Sequence, residues 1–249
     1  MNGNEILFIE TPKIPDMAFK GNLSVRKIFI GKNVKSIGAE AFSMCSNLES
    51  IEVDENNEYF TSENGCNTII DKSSQTLLVG CYKTEIPEYI KEIGPFAFCG
   101  QTKLKKIIIP SNVNKINAYA FDGCSDAVEI KISNDVKYIG EYCFRNCAKL
   151  ETISLPNTKI DIDATIFGVK LFNWDDMEAS LSEWLEEPII TPHFEGTLNI
   201  FFEGTLDEYY LNGPFVDLYL SGSIIEYTRI LCVHCQNGQL NYNKWGFSV

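Results

Sequence analysis

Apolar positions recur along the first two-thirds of this chain every 23 residues. Phe19, Phe42, Phe98, Phe121, Phe144 and Phe167 are separated by 23, 56, 23, 23 and 23 residues. Two periods fit inside the wide gap with ten residues to spare, so it holds one further unit carrying an insertion of about that length. Other columns keep the same phase. Ile14, Ile37, Ile93, Ile116, Ile139 and Ile162 stand five residues before each Phe, and Ile28, Ile51, Ile107, Ile130 and Ile153 nine residues after five of them. Two residues further on come Ile30, Val53, Ile109, Ile132 and Leu155.

Each unit predicts a strand, a turn and a short helical segment. In LKKIIIP (104–110), Ile107 and Ile109 alternate inward, as a half-buried strand requires. Pro110 and Pro156 end their strands by removing a ladder donor. The return segments KSIGAEAF and KYIGEYCF suit a short helical or 3₁₀ turn across the back of the strands. Four residues before the Phe stand Gly38, Gly94, Asn117, Gly140 and Asp163, types that tolerate a left-handed backbone, so positive φ is predicted there. Pro15 occupies this column in the first unit and marks it as an atypical cap.

The units VKSIGAEAFSMCSNLESIEV, IKEIGPFAFCGQTKLKKIIIP and VKYIGEYCFRNCAKLETISLP resemble the BspA-type leucine-rich repeat family over about residues 5–170. The resemblance implies an α/β leucine-rich-repeat solenoid with a parallel sheet on its concave side. It also implies a surface or secreted protein that binds a protein partner, in adhesion or host interaction, and carries out no catalysis. A single unit cannot bury its apolar face alone, so stability has to come from stacking and from caps at both ends.

The inserted stretch contains a hairpin at about 56–80: CNTII (66–70) and TLLVG (76–80) are strand-like, and DKSSQ (71–75) is turn-like. A turn at Ser73 and Ser74 places Cys66 opposite Cys81 and permits a disulfide. Aligning CYKTEIP with LKKIIIP instead puts Cys81 in the buried column of Leu104. Cys45, Cys124 and Cys147 share a column, which stacking would bring together like metal ligands. Asn22 and Gln101 occupy the same column, which favours a small polar-tolerant core slot.

After Phe167 the columns fail, since Asp176 stands where Ile is due. Two parts are expected: a solenoid over 1–170 and an acidic, small mixed α/β C-terminal cap over 171–249. In the second part Met177, Leu181, Trp184 and Leu185 share one face of a predicted helix that Pro188 stops. Thr205 and Glu208 have capping-box spacing for a second helix, and VDLYL (216–220) and RILCVHC (229–235) alternate like strands.

Charge changes the picture for partners. The chain carries a net charge of −13, which argues against nucleic acid. Residues 171–249 contribute 12 acidic and 2 basic side chains, so the repeats themselves are near balance. No run approaches the roughly 20 apolar residues of a membrane span. The N-terminus reads as no signal peptide, which fits either a cytoplasmic protein or a trimmed form of an exported one.

Candidate chemistry is sparse. Cys232-Val-His-Cys235 has redox or zinc spacing, the basis of an alternative reading as a metal- or redox-dependent module, but the pair lies in an apparent strand and a zinc site needs further ligands. No catalytic motif stands out, and no cofactor or metal is expected. The outward strand positions form two columns: Lys27, Ser50, Lys83, Lys106, Glu129 and Thr152, then Phe29, Glu52, Glu85, Ile108, Lys131 and Ser154. Lys27, Phe29, Glu52, Lys83, Glu85, Lys106, Ile108 and Lys131 are therefore the candidate protein-binding residues, with Phe29 and Ile108 as apolar anchors. A glycan ligand, or a structural spacer with no specific ligand, is the remaining alternative.

Overall fold

The computed structural model describes residues 6–155, 161–162, 199–202, 216–222, 224–236 and 239–244. The helices expected around Trp184 and after Thr205 lie outside the described residues.

The repeat produces two kinds of strand, one long and one short, and each kind stacks in parallel on its own side of the solenoid. Long strands Ile6–Ile9, Lys27–Ile30 and Ser50–Val53 form one sheet. Lys106–Ile109, Glu129–Ile132, Thr152–Leu155 and Asn199–Phe202 form another. The short strands Glu92–Ile93, Lys115–Ile116, Tyr138–Ile139 and Asp161–Ile162 stack on the other side. The register is the sequence period itself: Ile107 pairs with Ile130 and Ile130 with Ile153. Val216–Gly222, Ile224–Gln236 and Gln239–Lys244 form a separate antiparallel sheet.

Among the described residues the expected helical segment does not form, and the repeats are a β-solenoid rather than an α/β one. Among the described residues the single helical element is a three-residue 3₁₀ turn, Glu63–Gly65. Hydrogen bonding explains why. In the first unit Ala18, Lys20 and Asn22 donate their N–H groups three residues back, to Pro15, Met17 and Phe19. The alternate residues Met17, Phe19 and Gly21 donate instead to Ala39, Ala41 and Ser43 of the next unit, at 2.8–2.9 Å. A helix would direct every N–H along its own axis and leave none for the neighbouring rung.

This alternation also relocates the left-handed residues. Positive φ falls two residues either side of the Phe, at Met17, Glu40, Phe96, Tyr119 and Tyr142 and at Gly21, Met44, Gly100, Gly123 and Asn146. In the predicted column four before the Phe, Gly38, Gly94, Asn117 and Gly140 do not have it, and Asp163 lies outside the described residues. Glycine is used there for close approach: a Cβ would stand 2.3 Å from the Asp16 nitrogen at Gly38, 2.9 Å from the Leu77 oxygen at Gly94 and 2.6 Å from the Ala118 nitrogen at Gly140. Asn117 in this column donates its side-chain amide to the Ile93 carbonyl at 2.8 Å.

The apolar columns fill the interior. Ile28, Ile30, Ile51, Ile107, Ile109, Ile130 and Ile132 are all buried. The Phe rings stack along the solenoid, Phe19 on Phe42 at 5.4 Å and Phe98 on Phe121 on Phe144 at 4.9 and 5.9 Å. Such pairs add about 0.5–1.5 kcal/mol each beyond burial.

The hairpin interrupts this order. Thr68–Asp71 and Thr76–Gly80 pair antiparallel, and Thr76–Gly80 continues the short-strand sheet through Leu77 beside Ile93. Ile69 and Val79 pack into the N-terminal apolar cluster and Ile70 and Leu77 into the C-terminal one, so the hairpin is a partition buried on both faces. The unit containing it is no ordinary repeat with an insertion, because it has lost its Phe corner. Gly80 takes the place of the Phe: its N–H donates to the Ala97 carbonyl at 2.8 Å, as those of Phe98 and Phe121 donate to Ala120 and Cys143. A Cβ on Gly80 would stand 2.2 Å from the Phe98 ring. Beyond it the flanking units touch directly, Met44 N–H donating to the Cys99 carbonyl at 2.8 Å and Lys103 Nζ to Asn47 Oδ1 at 2.8 Å.

Gly80→Ala should therefore overpack the fully buried Phe98 and lower the unfolding free energy by about 1–3 kcal/mol. Urea denaturation measures this, and a loss below about 0.5 kcal/mol, the size of an ordinary surface change, would contradict the packing described.

Candidate functional site

Alternation along each long strand turns every second side chain outward. Lys27, Glu52, Lys106, Ile108 and Lys131 are exposed, while Phe29 is half-buried. Lys106 Nζ pairs with Glu129 across the rung at 2.6 Å, and Ile108, beside Lys131 in register, is 56% exposed.

Phe8 belongs to this surface and went unread in the sequence. It pairs with Phe29 in register, lies 5.9 Å from it ring to ring and is 70% exposed. The first rung is short: Ile6 pairs with Lys27, only 21 residues away. A strict 23-residue period therefore misplaces the first strand by two positions.

The sheet expected to run continuously is divided. Among the described residues no strand forms at 81–87, and Lys83 and Glu85, both exposed, stand between the two long-strand sheets. The eight candidate residues thus fall into three groups: Lys27, Phe29 and Glu52; Lys83 and Glu85; and Lys106, Ile108 and Lys131. Thr84 occupies the position that Ile107 holds in the next unit. Its hydroxyl donates to the Asn67 carbonyl at 2.6 Å and accepts from the Cys81 N–H at 2.8 Å. A side chain that binds nearby backbone competes with a ladder.

Two devices close the break. The outer edge of Ser50–Val53 is capped by side chains, with Ile51 N–H donating to Asn67 Oδ1 at 3.4 Å and Val53 N–H to Ser62 Oγ at 2.8 Å. Glu49 then ties residues 82–83 to the preceding rungs: it accepts from Tyr82 at 3.1 Å and pairs with Lys83 at 3.2 Å and Arg26 at 3.0 Å. Those partners, Lys83 first, hold the Glu49 carboxyl down at about 2. Along the capped edge, between the strand and the segment 62–67, lies a groove of about 680 Å³, lined by Phe29, Glu52, Asp54, Glu55, Ser62 and Asn67 among others.

The cysteines serve the core. The seven described thiols are free and buried. Cys45, Cys124 and Cys147 donate their S–H groups to the carbonyls of Phe19, Phe98 and Phe121 at 3.1, 3.4 and 3.5 Å, one rung back in each case. Gln101 does the same with its amide, to the Cys45 carbonyl at 3.2 Å. Cys81 is fully buried, and the Cys66 thiol lies 2.8 Å from Thr68 Oγ1. Burial pushes the Cys99 thiol to about 12 and those of Cys124 and Cys143 well above their ordinary value, which makes them poor nucleophiles. Among the described residues no cluster of three or more Cys, His, Asp or Glu could hold a metal. The backbone of Cys232 and Cys235 runs within the strand Ile224–Gln236, which offers no helix N-terminus to activate a thiol.

The profile described as "BspA type Leucine rich repeat region" matches in six copies over residues 5–74 and 68–170. The chain belongs to this family. No curated protein matches the sequence. A leucine-rich repeat protein from Eubacterium ventriosum is similar at 29% identity, with 56% of this chain and 43% of that one covered and a TM-score of 0.48. A leucine rich cell surface protein from Faecalibacterium prausnitzii has 22% identity, with 78% and 52% covered and a TM-score of 0.49. The pneumococcal vaccine antigen PcpA has 15% identity, with 80% and 59% covered and a TM-score of 0.46. The BspA-type chain spans about half the length of these proteins. Among the described residues no helix is long and apolar enough to cross a membrane.

The buried thiol ladder gives a direct check. With Cys232 and Cys235 replaced by Ser, the remaining seven thiols should react with an aromatic disulfide reagent only as fast as the protein unfolds. Rapid modification of two or more in the native protein would contradict their placement in the core.

Proposed function

We propose that this BspA-type repeat protein is a non-enzymatic binding scaffold that recognises a protein partner, in adhesion or host interaction, through its long-strand face. The carrying observation is that apolar side chains stand outward on rigid parallel ladders beside charged ones: Phe8 at 70% and Ile108 at 56% exposure, with Lys27, Lys106, Lys131 and Glu52 around them. Rigid strands present such side chains at little entropic cost, and protein interfaces are built around apolar anchors with a polar rim.

The proposed binding residues are Lys27, Phe29, Glu52, Lys83, Glu85, Lys106, Ile108 and Lys131. We further propose the division into a solenoid over 1–170 and a capping region over 171–249. Its support is that Asn199–Phe202 pairs in parallel with Thr152–Leu155 and so covers an edge that would otherwise be open. The similar protein from Faecalibacterium prausnitzii is a cell surface protein, in keeping with an exported role.

The full chain should bind saturably to at least one of a panel of immobilised extracellular-matrix proteins in surface plasmon resonance. The triple variant Phe29→Ala/Lys106→Ala/Ile108→Ala should weaken that binding by about tenfold or more. Unchanged affinity in the folded triple variant would sink recognition through this face.

A further inference from the structure

The interruption of the long-strand sheet creates a feature that an unbroken repeat lacks. We infer that the groove beside Ser50–Val53 is the docking site for an extended polypeptide segment that carries a Lys or Arg next to an aromatic or large apolar residue. The inference rests on the scaffold reading above and narrows it to one end of the face and one partner chemistry.

Three observations converge. The first is shape: the segment 62–67, held to the edge of Ser50–Val53 by Ser62 and Asn67, borders with that strand a cleft of about 680 Å³, room for several side chains. The second is an apolar anchor. Phe29 lines the cleft, and Phe8 extends its ring surface outward at 70% exposure. The third is charge. Glu52, Asp54 and Glu55 line the same cleft, and no Lys or Arg among the described residues pairs with them. Elsewhere in the repeats Glu49, Asp122, Asp126 and Glu129 each hold a cation, while others such as Glu88 hold none among the described residues; at the cleft three such carboxylates lie together. Carboxylates with no cationic partner among the described residues, beside the half-buried Phe29 ring, complement a cationic side chain flanked by an apolar one.

The mode of recognition follows from the edge. The N–H groups of Ile51 and Val53 are already taken by Asn67 and Ser62, so a partner cannot dock there by adding a strand. It has to be read by its side chains, with the apolar one against Phe29 and the cationic one toward Glu52 and Glu55.

Fluorescence anisotropy with three labelled hexapeptides and the full chain tests this: alternating Arg–Phe, alternating Arg–Gly and alternating Glu–Phe. Saturable binding of Arg–Phe is expected, about tenfold weaker binding of Arg–Gly, and none of Glu–Phe. Glu52→Gln/Glu55→Gln and Phe29→Ala should each weaken Arg–Phe binding by about fivefold or more. Glu88→Gln/Glu141→Gln, a matched loss of charge outside the cleft, should leave it unchanged. Equal binding of Arg–Phe and Arg–Gly, equal losses in the two double variants, or no loss in the cleft variants would each overturn the inference. On a matrix-protein surface, loss in Lys106→Ala/Ile108→Ala with full binding in Glu52→Gln/Glu55→Gln would also overturn it, while leaving the scaffold reading standing.

Discussion

Each rung of this solenoid leaves half of its corner N–H groups without a partner of its own, and everything else in the repeat region follows from satisfying them. Met17, Phe19 and Gly21 give theirs to the next rung, and Phe98, Gly100, Phe121 and Gly123 do the same further along. A buried N–H without an acceptor is costly, so the rungs have to stay in register. That requirement accounts for the left-handed backbone at Phe96 and Tyr119, the glycine at positions of close approach, and the thiol of Cys124 beneath the Phe98 carbonyl. It also excludes helix from the corner, because helical N–H groups would point along the segment rather than across to the neighbour.

The hairpin unit shows what happens when one side of a rung is removed. At the corner the ladder heals: Gly80 bonds to Ala97 and Met44 to Cys99. On the long-strand side it does not heal, because Thr84 spends its hydroxyl on Asn67 and Cys81. Substituted bonds hold the break together, from Ser62 and Asn67 on the strand edge and from Glu49 to Tyr82 and Lys83. The cleft lies along the edge of Ser50–Val53, which has no further long strand beside it.

Much of this was legible in the sequence, and the reasons for the remainder are specific. The Ile and Phe columns were readable because most of their described members are buried, Phe19 and Ile37 toward the N-terminal end being half-buried. The outward columns followed by alternation. Left-handed φ at Met17, Phe96 and Tyr119 was not readable, since these residues have no preference for it and adopt it where they make the inter-rung bond. Phe8 escaped because its rung is shorter than the period, and the gap in the sheet escaped because CYKTEIP aligns well with LKKIIIP. One of the differences there, Thr84 in place of Ile107, binds local backbone instead of packing inward. Gly80 was hidden as well, because a glycine standing in a Phe column carries no signal until Phe98 is seen against it.

Amide hydrogen exchange resolved by residue measures the central arrangement, a corner ladder that runs through the hairpin beside a long-strand ladder that is broken. The N–H groups of Met44, Gly80 and Phe98, donated across units, should exchange as slowly as that of Phe121. Those of Lys83 and Ile86, at the break, should exchange far faster. Protection of Lys83 and Ile86 equal to that of the long strands, or rapid exchange at Met44 and Gly80, would contradict the account.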